Sequence, residues 1–352
     1  MNQKYRFFPN ASTGCLSDED TKKYFSRVGF AVFAFILAGG LAATAIATVY
    51  ASIAMKFFPW LLTVPEYLLI ATEIIDLLVT CCVALPIFLV LLKPLPKVTP
   101  FKSKMSVGGF LGGFCIALLF LYIGNTVSST LLSSIESITQ SATTNPVSNM
   151  ISESSIWITI LFSVILTPII EEILFRKILC DRLLPLGEGY AILISSAIFS
   201  LIHGNFYQFA YSFLLGLLFS FIYVKTGKLI YSIIYHMIVN FVGTVVIVWI
   251  SKLLDWNAIQ KLSETEITDP YATLTQLIQL AWPLLIYSTA LMIIYIIGLV
   301  LIFKANKKKL VKLDTGILPP PKQHRVSNVL LTSGAAAAIA ISVFRFVLSL
   351  LP

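Results

Sequence analysis

The stretch GFAVFAFILAGGLAATAIATVYASIAM, residues 29–55, contains no Asp, Glu, Lys, Arg or His. A helix rises about 1.5 Å per residue, so a run of this length crosses about 30 Å of hydrocarbon with turns to spare. A membrane-spanning strand needs only about ten residues, so the length selects helices over a barrel. Similar apolar runs lie near 67–92, 107–131, 156–176, 190–203, 208–224, 229–250, 277–303 and 328–350, two of them short. The predicted fold is all-α, a polytopic transmembrane helical bundle of about eight to nine segments. The polar segment 1–28 precedes a run far longer than a signal-peptide core, so the first helix is expected to be retained.

Composition agrees. Hydrophobic residues make up 57% of the chain and charged residues 12%, outside the range of soluble globular domains. The net charge of +8 comes from Lys and Arg placed between the apolar runs, which fits the inner surface of a membrane and not nucleic acid. Cys15, Cys81, Cys82, Cys115 and Cys180 have no CxxC spacing and read as small apolar residues, not as a disulfide framework or zinc knuckle.

Charge alternates along the connections. Lys22, Lys23 and Arg27 precede the first run, and Lys93, Lys97, Lys102 and Lys104 follow the second. Arg176, Lys177 and Arg182 follow the fourth, Lys225 and Lys228 the sixth, and Lys304, Lys307, Lys308, Lys309, Lys322 and Arg325 the eighth. By the positive-inside rule these connections and the N-terminus are cytoplasmic. The intervening loop 133–155 carries no Lys or Arg, and 251–276 has only Lys252 and Lys261. The sequon Asn10-Ala11-Ser12 falls on the cytoplasmic tail and is not read as a glycosylation site. The chain divides into a tail (1–28), N-terminal helices and loops (29–155), a core (156–250), an extracytoplasmic loop (251–276) and C-terminal helices with a basic loop (277–352). In GGFLGG (108–113), Gly108 with Gly112 and Gly109 with Gly113 form GxxxG pairs suited to close helix packing.

Charged groups inside apolar runs separate by depth. Glu73 and Asp76 lie about 30 and 25 Å of helix from Lys93, near the outer headgroups, and Arg345 lies about 30 Å from Arg325, where it is expected to snorkel outward. Glu171 is about 16 Å from Arg182, His236 about 12 Å from Lys228, and His203 about 20 Å from Tyr190, so these three share a depth beneath the cytoplasmic face. Glu172 and Arg176 are four residues apart, in the favourable order for an ion pair. Glu171 is turned about 100° from them and is expected to face another surface. His236 and Asn240, and Phe199 and His203, are likewise four apart.

A buried carboxylate beside imidazoles can serve as a general base toward water. Glu171 is the candidate base, with His203 orienting the water and His236 and Asn240 donating to an oxyanion. Glu172 and Arg176 support them. HExxH is absent, and no Cys or Ser has the surroundings of a nucleophile.

EEILFR (171–176), FSLIH (199–203) and HMIVN (236–240) resemble the EExxxR, FxxxH and HxxxN motifs, in that order, of the CAAX-protease and bacteriocin-processing family. These are intramembrane glutamate proteases related to the Ras-converting prenyl-protein endopeptidase. The resemblance covers roughly 156–250. It implies a conical intramembrane catalytic cavity, water activation by Glu171 and His203, oxyanion stabilisation by His236 and Asn240, and support from Glu172, Arg176 and Phe199. The implied activity is cleavage of a membrane-associated peptide or protein, in bacteriocin processing, self-immunity or CAAX-type processing, with the lipid bilayer as surroundings. The short polar loops, together with this resemblance, lead to the expectation of a bacterial plasma membrane.

Three other readings stay open on the residues. A zinc-dependent form of the protease would use Glu171, His203 and His236 as ligands, although Asn240 is better used as a donor and the favoured reading has no cofactor. A non-catalytic scaffold or immunity protein would use the polar cluster only to fix packing. A transporter would use it as an ion path, but no inverted repeats or matching broken helices are evident.

Overall fold

In the computed structural model, residues 15–139, 155–264, 269–308, 311–321 and 325–350 are described. The sequon, most of the loop 133–155, and Lys309 and Lys322 lie outside them. Among the described residues seven helices are long and apolar enough to cross a membrane, and two shorter apolar helices accompany them. In chain order they are α1 (Asp18–Phe57), α2 (Pro65–Leu92), α3 (Val107–Thr139), α4 (Ile156–Leu186), α5 (Glu188–His203), α6 (Phe206–Thr226), α7 (Leu229–Lys252), α8 (Pro270–Lys307) and α9 (Ser333–Leu348). The protein is a multi-pass helical membrane bundle. Its periphery is apolar: α8 alone exposes Leu284, Leu285, Ile286, Met292, Ile293, Ile296 and Ile297.

The nine helices correspond to the nine apolar runs, with two differences that follow from local chemistry. Helix α1 begins at Asp18, inside the segment read as a tail, because the Ser17 side chain accepts from the Asp20 N–H and Asp18, Glu19 and Asp20 occupy the positive end of the helix dipole. The run 328–350 is not one helix. It breaks at Leu331–Thr332, and α9 restarts from a Thr332 cap that accepts from Ala335 N at 3.2 Å.

Two prolines inside spans are preceded by a widened turn. Thr80–Ala84 has π-helical geometry just before Pro86, and Ile160–Leu166 just before Pro168. Proline lacks an N–H and crowds the carbonyl four residues back, and a wider turn relieves that crowding. Further wide turns at Ile173–Cys180 and Phe241–Val246 follow directly after Glu172 and Asn240.

The basic ends of the helices are tied together. Buried Asp181 accepts from Tyr223 Oη at 2.7 Å and Thr99 Oγ1 at 3.2 Å and pairs with Lys177 at 2.9 Å. Arg27 donates to Leu91 O at 2.8 Å, Arg182 to Leu92 O at 3.0 Å, and Tyr24 to Arg182 O. Lys225 meets Glu188 at 2.5 Å, and Glu188 also accepts from Asp314 N at 2.8 Å. These contacts fix the relative heights of α1, α2, α4, α5 and α6, and hence the heights of the side chains farther along them.

Close packing occurs mostly away from GGFLGG. A Cβ on Gly108 would meet nothing within 4 Å, whereas one on Gly113 would lie 2.5 Å from the Tyr235 hydroxyl. Tyr235 fills the notch and donates to Phe110 O at 2.6 Å, so this motif seats a side chain instead of a second backbone. Backbones meet where α1 crosses α9, with a Cβ on Gly29 only 2.2 Å from the Gly334 carbonyl carbon.

Candidate active site

The site is assembled from four helices. Helix α4 supplies Glu171, Glu172 and Arg176, and α5 supplies Ser195, Phe199 and His203. Helix α6 adds Phe219 and Ser220, and α7 adds His236 and Asn240. Glu172 and Arg176 are fully buried and form the expected i,i+4 pair, with Nε to Oε2 at 3.0 Å and Nη2 to Oε1 at 3.4 Å. An isolated buried guanidinium would be costly, and here its remaining edge donates to Ser195 Oγ at 3.1 Å and Ser220 Oγ at 3.0 Å. The Phe199 ring lies 5.1 Å from its Cζ, close enough for a cation–π contact.

His236 joins the two glutamates. Its Nδ1 is 3.1 Å from Glu172 Oε1, and its Nε2 is 3.5 Å from Glu171 Oε2. Glu171 lies outside the Glu172–Arg176 pair, as its rotation away from them predicts. A rotation of about 100° separates them on one helix, but an imidazole on a neighbouring helix is long enough to address both. The two carboxylates differ in access. The Glu172 side chain is wholly enclosed, while that of Glu171 keeps 21% of its surface, so only the second can be approached from outside the packed side chains.

Phe199 stands between the histidines, its ring 5.0 Å from His203 and 5.8 Å from His236, edge-on to both. Phe219 covers the remaining side of His236 at 5.3 Å. His203 ends α5 and shares its wall with Phe199, without a hydrogen bond or ion pair to Glu171 among the described residues. Asn240 Nδ2 donates to Ser163 O at 2.8 Å, which leaves a second N–H on the same nitrogen. Among the described residues no three His, Cys, Asp or Glu side chains group as a metal site.

Residues 153–242, which contain this cluster, match the family model described as type II CAAX prenyl endopeptidase Rce1-like. This segment, about a quarter of the chain, is an Rce1-like domain by similarity. The membrane-embedded CAAX protease MroQ of Staphylococcus aureus (strain USA300) is 37% identical over 114 residues, 30% of this chain and 44% of MroQ. A Bacillus subtilis (strain 168) protein named "Putative membrane peptidase YdiL" is 33% identical over 88 residues, 25% of this chain and 36% of YdiL. The chain thus spans less than half the length of these curated relatives, and no solved structure matches it. Within the Rce1-like domain, reading by sequence missed Ser195 and Ser220. Their signal was small polar residues on α5 and α6, which allow close helix approach and can hydrogen-bond across an apolar interface.

Outside the domain, Arg345 departs from expectation. It does not snorkel away from the bundle but donates from Nη1 to Ile202 O at 2.6 Å, beside His203. Its neighbour Phe346 packs on Phe206 and Phe209 at 4.8 and 5.4 Å, which seats this end of α9 at the turn between α5 and α6.

Proposed function

We propose that the chain is an intramembrane endopeptidase that hydrolyses a peptide bond in a membrane-associated protein or peptide through a water activated by Glu171. The observation carrying this reading is the unequal carboxylate pair about His236. Glu172 is enclosed and neutralised by Arg176, while Glu171 is partly accessible and faces the other ring nitrogen. A hydrogen bond from Nδ1–H to Glu172 would fix the tautomer and leave Nε2 directed at the reaction space.

In the proposed reaction Glu171 takes a proton from water as the water oxygen bonds to the scissile carbonyl carbon. The carbonyl oxygen becomes an oxyanion, stabilised by the free N–H of Asn240. Collapse of this intermediate breaks the C–N bond, and the proton held by Glu171 passes to the leaving amine. His203 is assigned the orienting of the water, and no metal or other cofactor takes part. The Lys- and Arg-bearing connections support an inner-membrane-face placement of the basic ends, with the N-terminus cytoplasmic. The names of the two bacterial relatives support a bacterial plasma membrane.

The test compares peptide termini released from host membranes by the parent and by Glu171→Gln, each with and without a chelator. New termini that require Glu171 and survive the chelator are expected. Termini that persist in Glu171→Gln would sink the assignment of the base, and their loss to the chelator alone would favour the zinc form. A host phenotype unchanged by Glu171→Gln, with no cleavage by the parent, would make the chain a scaffold or immunity protein.

A further inference from the structure

We propose that Arg345, supplied by α9 from outside the Rce1-like domain, is a positioning residue that holds His203 in place by closing the last turn of α5. The inference deepens the peptidase reading and rests on it for its kinetic consequence.

The last carbonyls of a helix have no partners within it, and in an apolar bundle each needs a donor from elsewhere. At the end of α5 the donors can be named. Leu201 O accepts from Gly204 N at 3.2 Å, Ile202 O from Arg345 Nη1 at 2.6 Å, and His203 O from Asn205 Nδ2 at 3.1 Å. Two of them belong to the turn itself. The third comes from a helix more than a hundred residues away in sequence, and it is the charged one, well suited to the negative end of the α5 dipole.

The turn is shaped around this guanidinium. Gly204 has φ +66°, and a Cβ added there would come within 2.7 Å of Arg345 Cζ. A side chain at 204 would thus be strained by its backbone and would also displace the arginine. The residue after Arg345 secures the same place: the Phe346 ring lies 4.8 Å from Phe206 and 5.4 Å from Phe209, on the first turns of α6. Helix α9 is itself anchored at its start, where Gly334 N donates to Ser26 Oγ at 3.2 Å and its backbone lies against α1. Helices α1 and α9 thereby act together on the segment His203-Gly204-Asn205.

His203 follows Ile202 directly, so loss of the Ile202 contact releases the backbone that sets its imidazole. Misplacement of a reacting group by about 1 Å can cost about 100-fold in rate. The experiment uses the full chain in lipid nanodiscs, with a peptide substrate identified from the parent. Arg345→Met should lower kcat by about 10- to 100-fold with KM changed by less than about twofold, and Arg345→Lys should recover at least half of the lost kcat on a logarithmic scale. In parallel, modification of His203 by diethyl pyrocarbonate, read by peptide mass spectrometry, should rise several-fold in Arg345→Met. A Lys variant no better than Met, a matching rise in KM, or unchanged His203 reactivity would overturn the proposal. If Arg345→Met does not fold, Arg345→Gln replaces it under the same readouts. If the parent cleaves nothing, the peptidase reading fails, and His203 reactivity alone decides whether Arg345 positions it.

Discussion

Nδ1 of His236 and Oε1 of Glu172 stand 3.1 Å apart, with both side chains buried. The contact ties α7 to α4 and turns Nε2 toward Glu171. Replacement by Phe keeps an aromatic ring between Phe199 and Phe219 but removes both nitrogens, leaving Glu172 one donor short. His236→Phe is expected to abolish cleavage and to cost about 1–3 kcal/mol in stability. Peptide cleavage and thermal unfolding in one detergent check both parts, and full activity in this variant would remove His236 from the mechanism.

Glu171 and Glu172 are adjacent in sequence yet predict different phenotypes. Glu171 is partly exposed and outside the arginine pair, so Glu171→Gln should lower kcat by about 10²- to 10⁴-fold with little change in the unfolding midpoint. Glu172→Gln takes the counter-charge from a fully buried guanidinium and should destabilise the protein first. Equal midpoint losses in the two variants would show that their environments are not distinct.

Arg176 is held by Glu172, Ser195 and Ser220 with no exposure to solvent. Arg176→Met strands a buried carboxylate and is expected to cost about 3–5 kcal/mol. Arg176→Met combined with Glu172→Leu removes both charges and should be less destabilised than Arg176→Met alone. Denaturation of these two variants and of Glu172→Leu in detergent decides this, and additive losses would mean that the pair contributes no coupling.

Gly334 and Gly40 make a paired test of helix packing. A Cβ on Gly334 would lie 1.7 Å from Ser26 O, but one on Gly40 meets nothing within 4 Å. Gly334→Ala must push α9 from α1, lowering the unfolding midpoint and, through α9, cleavage. Gly40→Ala should be neutral or stabilising by about 0.5–1 kcal/mol, since alanine loses less chain entropy in a helix. Similar midpoints for the two variants would argue against the close α1–α9 crossing.

The helices and their number are set by the sequence alone, because hydrocarbon offers the backbone no partners and each apolar run must satisfy its own N–H and C=O groups. Glu172 with Arg176 was readable for the same local reason, since residues four apart on a helix meet whatever surrounds them. The placing of His236 against both glutamates, of Asn240 on the Ser163 carbonyl and of Arg345 on the end of α5 belongs to the tertiary structure. These contacts depend on how neighbouring helices are set against one another, with the heights of α1, α2, α4, α5 and α6 fixed at the basic ends by Asp181, Arg182 and Glu188 and α9 restarting as a separate helix at Thr332. Spacing along one helix carries no information about the height or rotation of its neighbour, and those two quantities decide which polar groups meet.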